Sequence, residues 1–405
     1  MSLSRRILFV TEGLGIGGTE NHLLELLPCL KAKGFDVAAF CFTEPGLRIN
    51  DLEVAGIPVV SPQNLGSPQK QSLMGVLRIS LGAAQLFALI RSWRPMIVHF
   101  FLPGPYLAGA PVAIAARVPI KLMSRRSLSD YQEKWPGAAR IERQLHRHMD
   151  VVLGNSRSVI RELVAKEGCP ESQVRLIYNG VRLPTGDTTR KEARAALGLA
   201  QEGLVATVVA NLFPYKGHLD LIAALAGVCD QLPQRWTLLC AGRDGGSGPE
   251  IAHAIDDAGL GERIRLLGER SDIPLLLKAS DFGILAPKGN EGFSNAVLEF
   301  MASGLPMVVT DVGGNAEAVT DGETGLVVPP HDPPALGAAI LRLAHDAELR
   351  RTMGEQGKKR AAGEFSSAAS IDQYCALYEE LLARKPDYSS PLADLSSPRG
   401  SRIDF

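Results

Sequence analysis

Two carboxylates, Glu291 and Glu299, stand eight residues apart across a turn, Glu291-Gly292-Phe293-Ser294, that runs into a helical pattern. Ser294 is a residue type that caps helix starts, and Gly304 one that follows helix ends. The spacing predicts Glu291 in the loop before a helix and Glu299 about one turn into it. An exposed helix N-terminus presents unpaired N–H groups to an anion. One short segment thus offers amides for phosphate and carboxylates for hydroxyls. That combination suits a sugar joined to a nucleotide by a diphosphate.

Other loops add candidates. Gly13-Leu14-Gly15-Ile16-Gly17-Gly18-Thr19-Glu20 follows the first apolar run and opens a helical pattern. Glycines there let backbone approach a phosphate. Gly13, Gly15 and Gly18 also satisfy the dinucleotide fingerprint, with Glu44 placed to take a ribose, and a plain tight turn explains the same residues. Lys216 lies in Asn211-Leu212-Phe213-Pro214-Tyr215-Lys216-Gly217, at a strand's carboxyl end. It is either a cation for a diphosphate leaving group or a surface lysine. Gly313-Gly314, between Asp311 and Glu317, is either a second close-approach loop or a strand-to-helix turn. His99 ends an apolar strand, as a cleft-edge group or a satisfied core residue, and His218 is read as structural. Arg125 and Arg126 follow another strand, placed to bind an anionic acceptor. Arg140, Arg143, His146, Arg147 and His148 form a basic helix face for solvent or for an anionic membrane surface. There is no Asp-x-Asp and no His/Cys/Asp cluster at ligand spacing, so no metal site is read.

The elements that must position these residues alternate. Strand patterns at Ile7–Thr11, Val37–Phe42, Ile97–Phe100, Ile120–Ser124, Val151–Leu153 and Val174–Ile177 are separated by helical ones such as Glu20–Lys33 and Leu73–Trp93. After a polar stretch, Arg182 to Glu202, the alternation restarts at Leu204–Ala210, Trp236–Ala241, Ile264–Leu267, Phe282–Leu285, Met307–Thr310 and Leu326–Val328. Helices are expected at Pro333–His345, Ala347–Gly363 and Ser366–Ala383. This predicts an α/β chain of two doubly wound, Rossmann-like domains in tandem, with ligands beyond the carboxyl ends of the strands. The expected boundaries are 1–185, 186–365, a C-terminal helix at 366–385 and a disordered tail at 386–405. The net charge of −1 over 405 residues gives no bulk drive towards nucleic acid. The uncharged run Pro95–Ala116 is broken by prolines and glycines rather than continuous enough to span a bilayer, and no signal-peptide pattern precedes the first strand. Six scattered cysteines without a Cys-x-x-Cys read as buried thiols of a reducing compartment.

These residues resemble the retaining nucleotide-sugar glycosyltransferases of family 4, with the GT-B fold. The resemblance runs from Arg5 to Ala383 and is most specific at Glu291-Gly-Phe-Ser-Asn-Ala-Val-Leu-Glu299. Matching context includes Gly17-Gly18-Thr19-Glu20, Asn155-Ser156, Tyr178-Asn179-Gly180-Val181, Pro214-Tyr215-Lys216-Gly217, Gly313-Gly314 and Asp321-Gly322-Glu323-Thr324-Gly325-Leu326. The resemblance implies that Glu291 contacts the donor sugar near its reacting carbon and Glu299 the ribose. Lys216, the amides of Phe293, Ser294 and Asn295, and the Gly17-Gly18 loop would hold the diphosphate, with Gly313 and Gly314 also on the donor side. It implies no cofactor and no metal, a nucleotide diphosphate sugar as donor, and a saccharide or lipid-linked acceptor. It further implies a last helix crossing back to the first domain, and a cytoplasmic place with peripheral contact at the inner membrane face. Two departures stand out. Asn211 replaces an arginine common in the family, and Ser124-Arg125-Arg126-Ser127 stands where a histidine is common. Rival readings are a nicotinamide- or flavin-dependent oxidoreductase, a nucleotide-sugar epimerase of the same fold, and a non-catalytic sugar-nucleotide binder.

Overall fold

The structure is a computed structural model that describes residues 5–15, 17–43, 46, 48–62, 73–134 and 136–385. The first domain is built on parallel strands β1 (Arg6–Thr11), β2 (Asp36–Cys41), β3 (Val59–Val60), β4 (Ile97–Phe101), β5 (Ile120–Arg125), β6 (Val151–Gly154) and β7 (Val174–Leu176). Their order across the sheet is β3-β2-β1-β4-β5-β6-β7. The second sheet holds β8 (Leu204–Val209), β9 (Trp236–Ala241), β10 (Ile264–Gly268), β11 (Phe282–Leu285), β12 (Met307–Thr310) and β13 (Gly325–Val328) in the order β10-β9-β8-β11-β12-β13. Two Rossmann-like α/β domains thus stand in tandem. Strand order reverses beside β1 in the first sheet and beside β8 in the second. Both reversals open a crevice at the strands' carboxyl ends.

The strands are near-continuous apolar runs because helices cover both faces. Leu8, Val10, Phe40 and Val98 pack with the helices Leu73–Trp93 and Pro103–Ala115. Ile7, Phe9, Val37 and Ile97 face the helix Gly18–Ala32 on the other side. The uncharged run Pro95–Ala116 resolves into β4 and the helix Pro103–Ala115. No described helix is long and apolar enough to cross a membrane.

The polar stretch Arg182–Glu202 is only partly a connection. From Arg190 it forms the helix Arg190–Ala196, opened by a capping box between Thr189 and Glu192. Arg194 of that helix is 1% exposed and donates to Ala279 O, Gln201 O and the Asp281 carboxylate, which docks the helix on the second domain.

The chain crosses between domains twice. Val181 N donates to Phe365 O at 2.8 Å and Ser367 N to Val181 O at 3.0 Å, so the two crossings are stitched together. After the second crossing, the helix Ser367–Ala383 lies on the first domain. Its Ile371, Tyr374, Tyr378 and Leu381 join the core of Phe9, Leu23 and Leu122. Arg5–Glu379 (2.7 Å) and Lys33–Asp372 (2.9 Å) are exposed ion pairs along its edge, so apolar burial carries the attachment. Tyr378→Ala should therefore cost about 3–5 kcal/mol in urea unfolding. A loss below about 1 kcal/mol would show that the first domain does not depend on this helix.

Candidate active site

A cleft of about 350 Å³ lies where the two crevices meet. Gly17 and Gly18 reach it from the loop after β1, Arg126 from the end of β5, Asn211 and Lys216 from the loop after β8, and Glu291 from the loop after β11. Phe293, Ser294, Asn295 and Glu299 complete the second domain's wall.

Lys216 sits on a short turn, Pro214–Lys216, that ends at Gly217. Gly217 has φ +73°, and a β-carbon there would stand 1.9 Å from Ala286 O, so only glycine lets the β8 and β11 loops come together. That approach puts Lys216 Nζ 2.5 Å from Glu291 Oε2, with side chains only 16% and 11% exposed. Burial works against the ammonium charge, and the Glu291 carboxylate with Tyr215 outweighs it, so the Lys216 pKa rises. The neighbouring His218 is pushed down to about 4, by burial and then by Lys216.

The helix Asn295–Ala302 points its first turn at the same cleft. Ser294 holds the N-cap position in extended conformation, φ −77° and ψ 122°, yet its hydroxyl caps nothing. The first-turn amides are thereby left for an anion. Gly304 follows the helix with φ +74°. Glu299 lies one turn in, and burial raises its pKa to about 7.

Asn179 ties the walls together. Its Nδ2 donates to Phe293 O at 2.8 Å and to Asn295 Oδ1 at 2.7 Å, and its Oδ1 accepts from Arg126 Nη2 at 2.8 Å. Asn295 Nδ2 reaches Gly18 O at 3.1 Å. Asn155 and Asn179 both line the cleft. The role of Asn179 is not legible from its own motif, because Phe293 and Asn295 lie 114 and 116 residues away in sequence.

Several placements differ from expectation. Arg125 does not open into the cleft. It is 1% exposed and donates to Glu167 at 2.8 Å and, more weakly, Glu142 at 3.4 Å, while His146 also meets Glu167 at 2.8 Å. Burial opposes the Arg125 charge, and Glu142 and Glu167 outweigh it, so its pKa rises. Arg125 is the last residue of β5 and Arg126 the first beyond it; the strand's alternation, carried one residue further, sends them to opposite sides, and only Arg126 lines the cleft. His146 leaves the basic helix face for the same interior cluster, being 2% exposed. His99 is fully buried between Ser124 Oγ and Tyr378 OH, both at 2.8 Å, and burial followed by Arg126 pushes it down to about 3. It is a satisfied core residue, not an acceptor-side group. Gly313 and Gly314 stand behind the cleft wall: a β-carbon on Gly313 would lie 1.9 Å from Glu291 O. Asn211 lines the cleft, but its Oδ1 is engaged by the Arg243 amide at 3.1 Å. Glu44 and residues 386–405 lie outside the described residues.

Two parallel-sheet domains facing each other across a polar cleft define the GT-B class. Residues 16–183 match the family described as Glycosyltransferase Family 4, and residues 189–360 that described as Glycosyl transferases group 1. The chain is 32% identical over 257 residues to the D-inositol 3-phosphate glycosyltransferase of Corynebacterium glutamicum, spanning 60% of that relative's length. To the protein of that name from Salinispora arenicola it is 27% identical over 389 residues, covering 90% of this chain and 85% of the relative. HepE of Anabaena, solved in complex with UDP, superimposes with a TM-score of 0.79 at 23% identity, over 93% of this chain and all of that one, a likeness of fold. The chain belongs to the family 4 glycosyltransferases.

Glu299 gives this site a pH signature. Its folded pKa, about 7, lies above the ordinary 4.5, so the folded state holds a proton that the unfolded chain releases between those values. Stability from this group therefore falls as pH rises through that window. Glu299→Gln should melt above the parent at pH 8 and lose that advantage towards pH 5. Equal melting temperatures at pH 8 would contradict the burial cost.

Proposed function

We propose that the protein transfers a sugar from a nucleoside diphosphate sugar to an acceptor hydroxyl, with retention at the anomeric carbon. The observation that carries the reading is the joint placement of Lys216, Glu291 and Glu299 around the open N-terminus of Asn295–Ala302. The chemical problem is charge: a diphosphate departs while the sugar gains oxocarbenium character. The free amides of the helix and Lys216 are placed to take the diphosphate's charge. Glu291 grips sugar hydroxyls beside the reacting carbon, and Glu299 accepts from the ribose. In this reading the pair of Lys216 and Glu291 loosens as the phosphate oxygens claim the ammonium. The departing phosphate oxygen then takes the acceptor's proton on the face where the new bond forms. Closure of the two domains keeps water from that step.

On the acceptor side, Arg126 and Asn155 face the donor wall from the first domain. We assign that space to a saccharide or lipid-linked acceptor of cell-surface polysaccharide or glycolipid synthesis, with the protein working at the inner face of the membrane. Residues 54–129 contain no Asp or Glu, and Arg140, Arg143 and Arg147 are exposed, which supports a peripheral contact with anionic lipid. The dinucleotide reading has less support, because Gly13 and Gly15 lie outside the cleft lining.

The test is a panel of nucleotide sugars with saccharide, lipid-linked and polyol phosphate acceptors, read by mass spectrometry, beside thermal shifts with UDP, GDP, NAD and FAD. Lys216→Ala and Glu299→Ala should each lower transfer by roughly 100-fold with the circular dichroism of the parent. Parent-like turnover in both would sink the assignment. Stabilisation by NAD or FAD alone would favour an oxidoreductase, and an altered sugar without acceptor an epimerase. Nucleotide binding with no turnover on any acceptor would leave a binder.

A further inference from the structure

Glu317 lies three residues beyond Gly314, in the short helix Asn315–Ala318 and outside the cleft lining. Its carboxylate crosses to the first domain. Oε2 accepts from Arg157 N at 2.7 Å and from Tyr178 OH at 3.1 Å, and Oε1 accepts from Ser158 N at 2.9 Å. Arg157 and Ser158 open the helix Arg157–Ala165, so their amides have no acceptor within it. The N-cap Ser156 takes the Val159 amide at 3.1 Å. A carboxylate of the other domain therefore completes this helix's cap, where the helix dipole also favours negative charge.

The contact is continuous with the loop that carries Glu291. Ser158 Oγ donates to Gly313 O at 2.7 Å, and Gly314 N donates to Gly292 O at 2.6 Å. On the far side of Gly292 stands the Arg126 carbonyl oxygen, 2.2 Å from where a β-carbon would lie. The loop Glu291–Phe293 is thus held between Gly313–Gly314 of its own domain and Arg126 of the other. From this stack we infer that Glu317 is a positioning residue, a latch that holds the two domains closed through the start of Arg157–Ala165 and so fixes the loop presenting Glu291. A sliding or opening of the domains must pull both amides off one carboxylate. The kinetic consequence rests on the glycosyl-transfer reading. The latch itself does not.

Hydrogen exchange reads the latch directly, because the Arg157 and Ser158 amides have no acceptor in their own helix. Glu317→Ala should speed exchange of these amides by about tenfold or more, leave the helix's inner amides unchanged, and enlarge the radius of gyration in solution scattering. Arg157→Pro attacks from the other domain. Ser156 before it is already extended, φ −153° and ψ 159°, and a first helical position accepts proline without disturbing the helix. This variant should open the molecule too and speed exchange at Ser158. In both variants UDP and GDP should bind within about threefold of the parent, since neither Glu317 nor Arg157 is among the groups that line the donor wall. Turnover with an active nucleotide sugar should fall by roughly tenfold or more. Unchanged exchange and scattering in both variants would overturn the latch, whatever happens to activity. A loss of UDP or GDP binding in step with turnover would overturn it as well, by moving the effect of Glu317 to the donor site. Should the parent bind neither nucleotide, the donor reading fails and the exchange result still decides the latch.

Discussion

The ion pair between Lys216 and Glu291 is the contact on which the cleft is arranged. Two opposite charges this well buried are tolerated only together, because either alone would sit desolvated without a partner. Their meeting requires the loops after β8 and β11 to touch, and Gly217 against Ala286 O permits it. The same requirement recurs around the site: a β-carbon at Gly242 would stand 2.1 Å from Ala210 O, and one at Gly292 2.2 Å from Arg126 O. The cleft is thus a place where backbone meets backbone, and the few long side chains in it are held by that contact.

The charged groups of the first domain divide into two sets with different work. Arg126 faces the cleft and is oriented by Asn179. Arg125, one residue earlier, belongs to an interior cluster with Glu142, Glu167 and His146, closed by Tyr131 OH on both Glu142 oxygens at 2.9 and 2.7 Å. Burial tends to raise the Glu167 pKa, and the His146 bond with Arg125 reverses it, so the carboxylate is held below its ordinary value. This cluster fixes the helix Pro136–His146 to the end of β5, which is how a site residue and a scaffold residue come to be neighbours in sequence.

Much of this was legible beforehand, and the reasons are local. Strand and helix patterns are short-range signals, so β9, β11, β12 and the helices Leu73–Trp93 and Pro333–His345 coincide with their expected bounds. The turn before Asn295–Ala302 was equally readable, because cap residues and the offset of Glu299 are properties of a few consecutive positions. What escaped depends on distant partners. The environment of His99 is set by Tyr378, 279 residues later, and that of Arg125 by Glu142 and Glu167. Strand β3, only Val59–Val60, is too short to carry a periodic signal. Glu317 carries no local signal, because its partners, the Arg157 and Ser158 amides and the Tyr178 hydroxyl, lie 160, 159 and 139 residues away in the other domain.

The double crossing at Val181 and Ser366 also orders events during synthesis. The first domain's core includes Ile371, Tyr374, Tyr378 and Leu382, which are made after the entire second domain. Domains generally fold in the order in which they leave the ribosome. Here the earlier domain must wait, with an apolar face open, while the later one folds first. The cleft therefore closes only on a chain translated through its last helix, and a ribosome stalled within the second domain would hold an exposed sheet face rather than half an enzyme.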